Sequence, residues 1–243
     1  MKRLYALGSP KTFYKVAHPC SQVFGVLAFV FLLIGWSWGL FYSPPDYQQG
    51  DSVRILYLHV PAAMMSLSIY SMMAFCAFCM LVWRIKLAGI LLRSCAQVGI
   101  LVTFIALVTG SFWGKPTWGT WWVWDARLTS ELILLMIYAG LLALSYHLGQ
   151  NQAADKIVAI ICWVGVIDLP IIHYSVKWWN TLHQGSTLTV FSKPKIHSSM
   201  LYPLLISLVG MGCFCAWAIL SLSKQALLKR EYQQDWVAKL WKA

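Results

Sequence analysis

Long apolar stretches alternate along this chain with short polar or basic joints, and the alternation has the period of a membrane. Runs without Asp, Glu, Lys or Arg cover Val16–Pro45, Ile55–Trp83, Ser94–Gly114, Leu132–Ala154 and Ile196–Ser223. A further run, Ile157–Val176, is interrupted only by Asp168. A helix needs about 20 residues to cross a hydrocarbon core of ~30 Å, and each run reaches that length. The pattern predicts an all-α integral membrane protein, a six-transmembrane-helix bundle with spans near residues 22–42, 56–82, 90–112, 127–148, 156–176 and 199–222. Ser43-Pro44-Pro45-Asp46 ends the first span, Gly114-Lys115-Pro116 is expected to break the third, and Pro170 should kink the fifth. The spans fill the chain as a single membrane domain over residues 1–243, with a basic tail at 223–243 that reads as amphipathic and surface-lying.

Composition agrees: 59% of residues are hydrophobic and 11% charged, against about 25% charged in soluble domains. The net charge of +11 reads as a topology signal rather than as nucleic-acid binding. With both termini cytoplasmic, thirteen of the 19 Lys and Arg residues fall inside; only Arg54, Lys115, Arg127, Lys177, Lys193 and Lys195 fall outside. The first span lacks a small-residue cleavage site and reads as uncleaved. Seven cysteines show neither haem-attachment nor zinc spacing, and Cys76 and Cys79 read as packing residues.

The outer joints carry the unusual chemistry. Trp118-Gly-Thr-Trp121-Trp122-Val-Trp124-Asp125, with Trp113 upstream, lies in a loop over 113–128 between the third and fourth spans. Loops normally recruit Gly, Pro, Asn and Ser, whereas clustered indoles present a broad apolar surface edged by N–H donors. That surface suits a large planar ligand; the alternative is an interfacial aromatic belt. His59 begins the second span and His183 follows the fifth, so two imidazoles reach the same side as the indoles. Neutral imidazole ligates metals, haem iron included. Arg54 and Arg127 sit on that side too and could grip carboxylates bidentately. The competing readings are a headgroup contact for Arg54 and, for Arg127, a local pair with Asp125 or Glu131. Asp125 can cap the fourth helix. Asp168 is an ionisable group within a span, and His173 lies near the Pro170 kink; both, with Trp178 and Trp179, read as lower-ranked support for the site. No nucleophile–base pair, carboxylate dyad or nucleotide loop is present, so a binding and transfer role fits better than catalysis, and any ATP use falls to another subunit.

These residues carry a resemblance. Trp113-Gly-Lys-Pro116, the tryptophan run through Asp125, and Ala126-Arg-Leu-Thr-Ser-Glu-Leu132 resemble the WWD signature of bacterial haem-handling proteins. Asp46-Tyr-Gln-Gln-Gly50, Leu58-His-Val-Pro-Ala-Ala63, Ile171-Ile-His-Tyr-Ser175 and Trp178-Trp-Asn-Thr-Leu-His-Gln-Gly-Ser186 narrow it to the cytochrome c maturation protein C (CcmC) family. The resemblance implies an inner-membrane protein of c-type cytochrome biogenesis that presents haem b on its periplasmic face to the chaperone CcmE. It also implies work alongside the ABC transporter CcmAB and the small CcmD. By the same resemblance His59 and His183 are the axial ligands, the tryptophans and Asp125 form the haem surface, and Arg54 and Arg127 are propionate candidates. Two alternatives stand beside it: a permease carrying haem through the bundle, and a WWD-type lyase acting directly on apocytochrome. The lyases are longer chains.

Overall fold

A computed structural model describes residues 9–149, 151–183, 185 and 196–240. Lys2, Arg3, Gln184, Ser186, Lys193, Lys195 and Lys242, used above for charge counting or motif matching, lie outside them. The helices are α1 (Pro10–Ser37, prolonged by a π-helical turn at Trp38–Tyr42), α2 (Leu56–Trp83, entered through a 3-10 turn at Asp51–Ile55) and α3 (Lys86–Trp118). They continue as α4 (Ala126–Leu148), α5 (Gln152–Gly165), α6 (Asp168–Trp178), α7 (Ser198–Arg230) and a short α8 (Asp235–Leu240). Six segments are long and apolar enough to cross a membrane, α5 and α6 together forming the fifth. The protein is therefore a multi-pass, all-helical membrane protein.

The helices run past the ends that the apolar pattern predicts. Pro10 starts α1, since a proline at the first helical position lacks only a donor that would go unpaired there. At the other end α7 continues to Arg230 because Leu227 is still buried. The expected break at Gly114-Lys115-Pro116 does not occur, and α3 proceeds to Trp118. Pro116 withdraws the amide that Phe112 would have used, but one missing bond near a helix end is tolerable. The Thr117 hydroxyl meanwhile donates to the Trp113 carbonyl at 2.8 Å. The stop comes at Gly119, whose φ of 79° is left-handed and whose amide closes the helix on Lys115.

Pro170 acts more strongly in the fifth span, which divides at Val166–Ile167 rather than bending. Without an amide at Pro170, the Val166 carbonyl accepts from Leu169 instead, at 3.1 Å, and the turn tightens.

Packing places α1 along α7 and α2 along α3, with α4 on α3 and α5 on α2. The core lies among α2 to α7 and centres on Tyr70, Met73, Leu92, Leu134, Tyr138 and Ile172. Two phenols give it direction: Tyr138 donates to the Ser66 carbonyl and Tyr70 to that of Cys162, each at 2.9 Å. Gly99 leaves the space that the Tyr138 ring fills. The first helix is pinned to the start of the second by Trp36 Nε1 donating to the Tyr57 carbonyl at 3.2 Å, and by a Ser43–Tyr57 hydroxyl pair.

A candidate ligand cavity

Where α2, α3 and α4 meet the segment after α6, the bundle opens into a cavity of about 740 Å³, counting its open mouth. The third helix supplies one wall: Ala106, Gly110, Trp113, Gly114 and Thr117 recur at helical spacing along a single face. That stripe reaches the mouth because α3 does not stop at Gly114. From α2 come His59 and Ala63, from α4 come Arg127 and Glu131, and His183 and Trp122 complete the rim.

The two histidines face one another, with ring centres 6.4 Å apart and planes inclined by 40°. His59 Nδ1 lies 3.0 Å from the Ala106 carbonyl and 3.1 Å from the Thr109 hydroxyl. A carbonyl oxygen can only accept, so that bond places the ring hydrogen on Nδ1 and leaves Nε2 with a lone pair. This is the tautomer of a metal-ligating histidine, whose other nitrogen is held by the protein. Gly110 lets the ring approach α3 closely, since a Cβ there would come within 3.0 Å of His59 Cε1. Trp113 meets the His59 ring edge-on at 5.6 Å, and Trp118 stands 6.2 Å from His183.

The tryptophans divide into two groups. Trp113, Trp118 and Trp122 line the cavity. Trp121 and Trp124 turn outward, 52% and 75% exposed. Trp121 stacks edge-on against Phe112 at 5.4 Å with the Lys115 ammonium over its face, and Trp124 packs edge-on against Trp122. Asp125 does cap α4, accepting from the Leu128 amide at 2.8 Å. Its second oxygen and the Trp122 indole nitrogen are buried without partners.

The polar floor departs from the competing reading of a local ion pair at Arg127. Among the described residues Arg127 forms a salt bridge with neither Asp125 nor Glu131. It reaches instead to the Ile172 carbonyl at 2.7 Å, tying α4 to α6. Glu131 accepts from the Ser66 hydroxyl at 2.7 Å, and its other oxygen is buried and unpartnered. Asp168 is also buried with an unpartnered oxygen but does not line the cavity. Arg54 stands outside it too, donating to the Leu40 and Ser43 carbonyls and pairing with Asp51 at 3.2 Å. His173, Trp178 and Trp179 are exposed, and the first two bracket Tyr174, which stacks on Trp178 at 5.2 Å.

Three wall residues escaped the sequence reading as site residues. Gln49 accepts the Trp113 indole hydrogen at 2.7 Å and so fixes that ring. Glu131 enters the sequence pattern as a partner for Arg127, although a carboxyl within a span is itself a signal. Gly110 had no signal, because its role is to be empty.

Comparison with known proteins bears on the whole chain. The family model described as heme exporter protein C (CcmC) matches residues 3–238. The heme exporter protein C of Haemophilus influenzae is 45% identical over 239 residues, covering 98% of this chain and 97% of that one. The protein of the same name from Escherichia coli K12 is 46% identical over 239 residues, covering 98% and 96%. That of Rhodobacter capsulatus is 38% identical over 182 residues, covering 74% and 75%. A match along nearly the full length, on a six-span bundle whose two histidines meet beside a tryptophan-lined cavity, leads to one conclusion: the chain belongs to the heme exporter protein C (CcmC) family.

Proposed function

We propose that this protein holds haem b as cargo between His59 and His183 on the periplasmic face of the inner membrane, and releases it to the chaperone CcmE. CcmA, CcmB and CcmD act beside it in this reading. The observation that carries it is the spacing of the two imidazoles. Rings bound to opposite sides of one metal, with bonds of about 2 Å and each nitrogen roughly 1 Å from its ring centre, have centres about 6 Å apart. The observed 6.4 Å meets that requirement, and Nδ1 of His59 is already committed to the backbone.

The remaining walls suit a porphyrin. Trp113, Trp118 and Trp122 offer apolar surface, and the half-buried Arg127 guanidinium supplies a cation for a propionate. Arg54 supports this arrangement at one remove, by fastening the segment that carries Gln49 and hence Trp113. Trp121 and Trp124, turned outward, give the loop an exposed edge where an acceptor can approach. One ligand in the first turn of α2 and another on the segment after α6, beside an open mouth, favour release, whereas a resident electron-transfer haem is held deeper.

The absorption spectrum of the purified protein, compared with His59→Ala and His183→Ala, tests this reading. A six-coordinate haem spectrum is expected in the parent, lost in each variant and restored by imidazole. Unchanged spectra in both variants would remove these ligands. Gly110→Val should lower haem occupancy by about tenfold, the usual cost of disturbing a residue behind a ligand, while thermal stability stays near that of the parent. Full occupancy in that variant would mean that the His59 ring need not rest on α3.

A further inference from the structure

The end of the bundle opposite His59 carries a second cluster of charge. Arg84 follows α2, Lys86 opens α3, and Lys156 lies in the first turns of α5; together they ring a small pocket. All three are exposed, and among the described residues none of their side chains has a hydrogen-bond or ion-pair partner. The carboxylate in the pocket wall, Asp155, cannot neutralise them, because Arg93 and Arg230 already hold both its oxygens. Arg84 is also the sole described non-glycine residue with positive φ, at 55°. A glycine would close α2 there at lower cost, yet the position carries a guanidinium.

Directly along the spans from these cations runs an apolar aromatic wall. Phe78 meets Trp83 edge-on at 5.4 Å and Trp163 of α5 at 6.1 Å, joining the exposed faces of the two helices. Trp83 is 51% and Trp163 43% exposed. Lys156, Ile160 and Trp163 follow one another at helical spacing, so cation and ring share one face of α5. These faces belong to membrane-crossing segments, where the surrounding medium is hydrocarbon.

We propose that Arg84, Lys86 and Lys156 form a headgroup site for an anionic phospholipid, whose glycerol and upper acyl chains lie along Trp83, Phe78 and Trp163. Three cations without a local counter-charge attract an anion, and the apolar wall below them matches a hydrocarbon. A lipid with a charged head satisfies both at once, at the depth where basic pockets between spans take such heads. A soluble anion would meet only the upper half. The site is independent of the histidine cavity.

Phosphatidylglycerol titrated into the detergent-solubilised full chain, with bound lipid counted by native mass spectrometry, tests it against phosphatidylcholine. Phosphatidylglycerol should bind about tenfold more tightly. The variant combining Arg84→Gln, Lys86→Gln and Lys156→Gln should abolish that preference, and the charge-preserving pair Lys86→Arg and Lys156→Arg should keep it. Lys156→Gln alone, at an exposed position, should weaken it measurably and keeps the test decisive should the triple variant not fold. Glycerol 3-phosphate should not compete; displacement of the lipid by it would identify a site for a free anion instead. Equal binding of the two lipids, or a preference that survives loss of the cations, overturns the proposal.

Discussion

Asp155→Ala should destabilise the folded chain by roughly 3–5 kcal/mol, the cost of removing one partner from a buried ion pair. The side chain is 3% exposed and takes Arg93 on one oxygen at 2.8 Å and Arg230 on the other at 3.2 Å. Arg93 also donates to the Ser145 and Gly149 carbonyls, at 3.1 and 2.7 Å. One carboxylate thereby ties α5 to α3 and α7, and through Arg93 to the end of α4. Alanine leaves two largely buried guanidiniums with no counter-charge and a void beside Gly89, whose missing Cβ makes room for the carboxylate. Thermal unfolding in detergent micelles should fall by about 10 °C. The cause is checked by adding Arg93→Leu and Arg230→Leu: removing all three charges should cost less than removing Asp155 alone. A triple variant at least as unstable as the single one would show that shape, not charge, holds this junction.

Gly35→Leu should separate α1 from α7 and cost about 3 kcal/mol, the upper end of the usual range for overpacking. A Cβ at Gly35 would lie 2.8 Å from the Ser207 amide nitrogen and 3.0 Å from its Cα. One turn along, a Cβ at Gly210 would lie 2.8 Å from the Leu32 nitrogen. Each glycine faces main chain, which cannot rotate away, so relief requires the helices to part. Gly25→Ala is the control: its Cβ would meet only the edge of the Trp217 indole, at 3.0 Å, and a side chain can yield. Hydrogen exchange along α1 should rise sharply in Gly35→Leu and hardly change in Gly25→Ala. Equal protection in the two would mean that α1 is held by something other than close backbone approach.

The six spans were legible because their signal is length and apolarity, which a membrane reads without regard to sequence detail. The third helix was misjudged where proline and glycine fall together, since a helix tolerates Pro116 near its end when a neighbouring hydroxyl and a left-handed glycine complete the termination. That error hid the stripe from Ala106 to Thr117, which becomes visible only on a helix continuing past Gly114. His59, Trp113 and Trp118 stood out by residue type and do meet at one cavity. Composition could not show that Trp121 and Trp124 turn the other way, because facing depends on a seven-residue connection, Gly119 to Asp125, with no period of its own. Arg127 lines the cavity, but among the described residues the local pair with Asp125 or Glu131, its competing reading, is not formed. Spacing along α4 favoured Glu131, while the guanidinium found a carbonyl on α6 that sequence distance does not reveal.

The pairing of α1 with α7 also sets a schedule for biosynthesis. The hydrogen bond between Ser21 and Lys224 spans 203 positions. At chain elongation rates of about 5–20 residues per second, the first helix waits roughly 10–40 s in the bilayer before its partner is made. During that interval its contact face meets lipid alone. A face of Gly25 and Gly35 among apolar residues can wait there because the Ser21 hydroxyl it carries donates to the His18 carbonyl of its own helix, whereas a face built on charges could not. The last long helix to emerge thus completes the packing of the first, and a nascent chain halted before Ser198 lacks the partner for its own beginning.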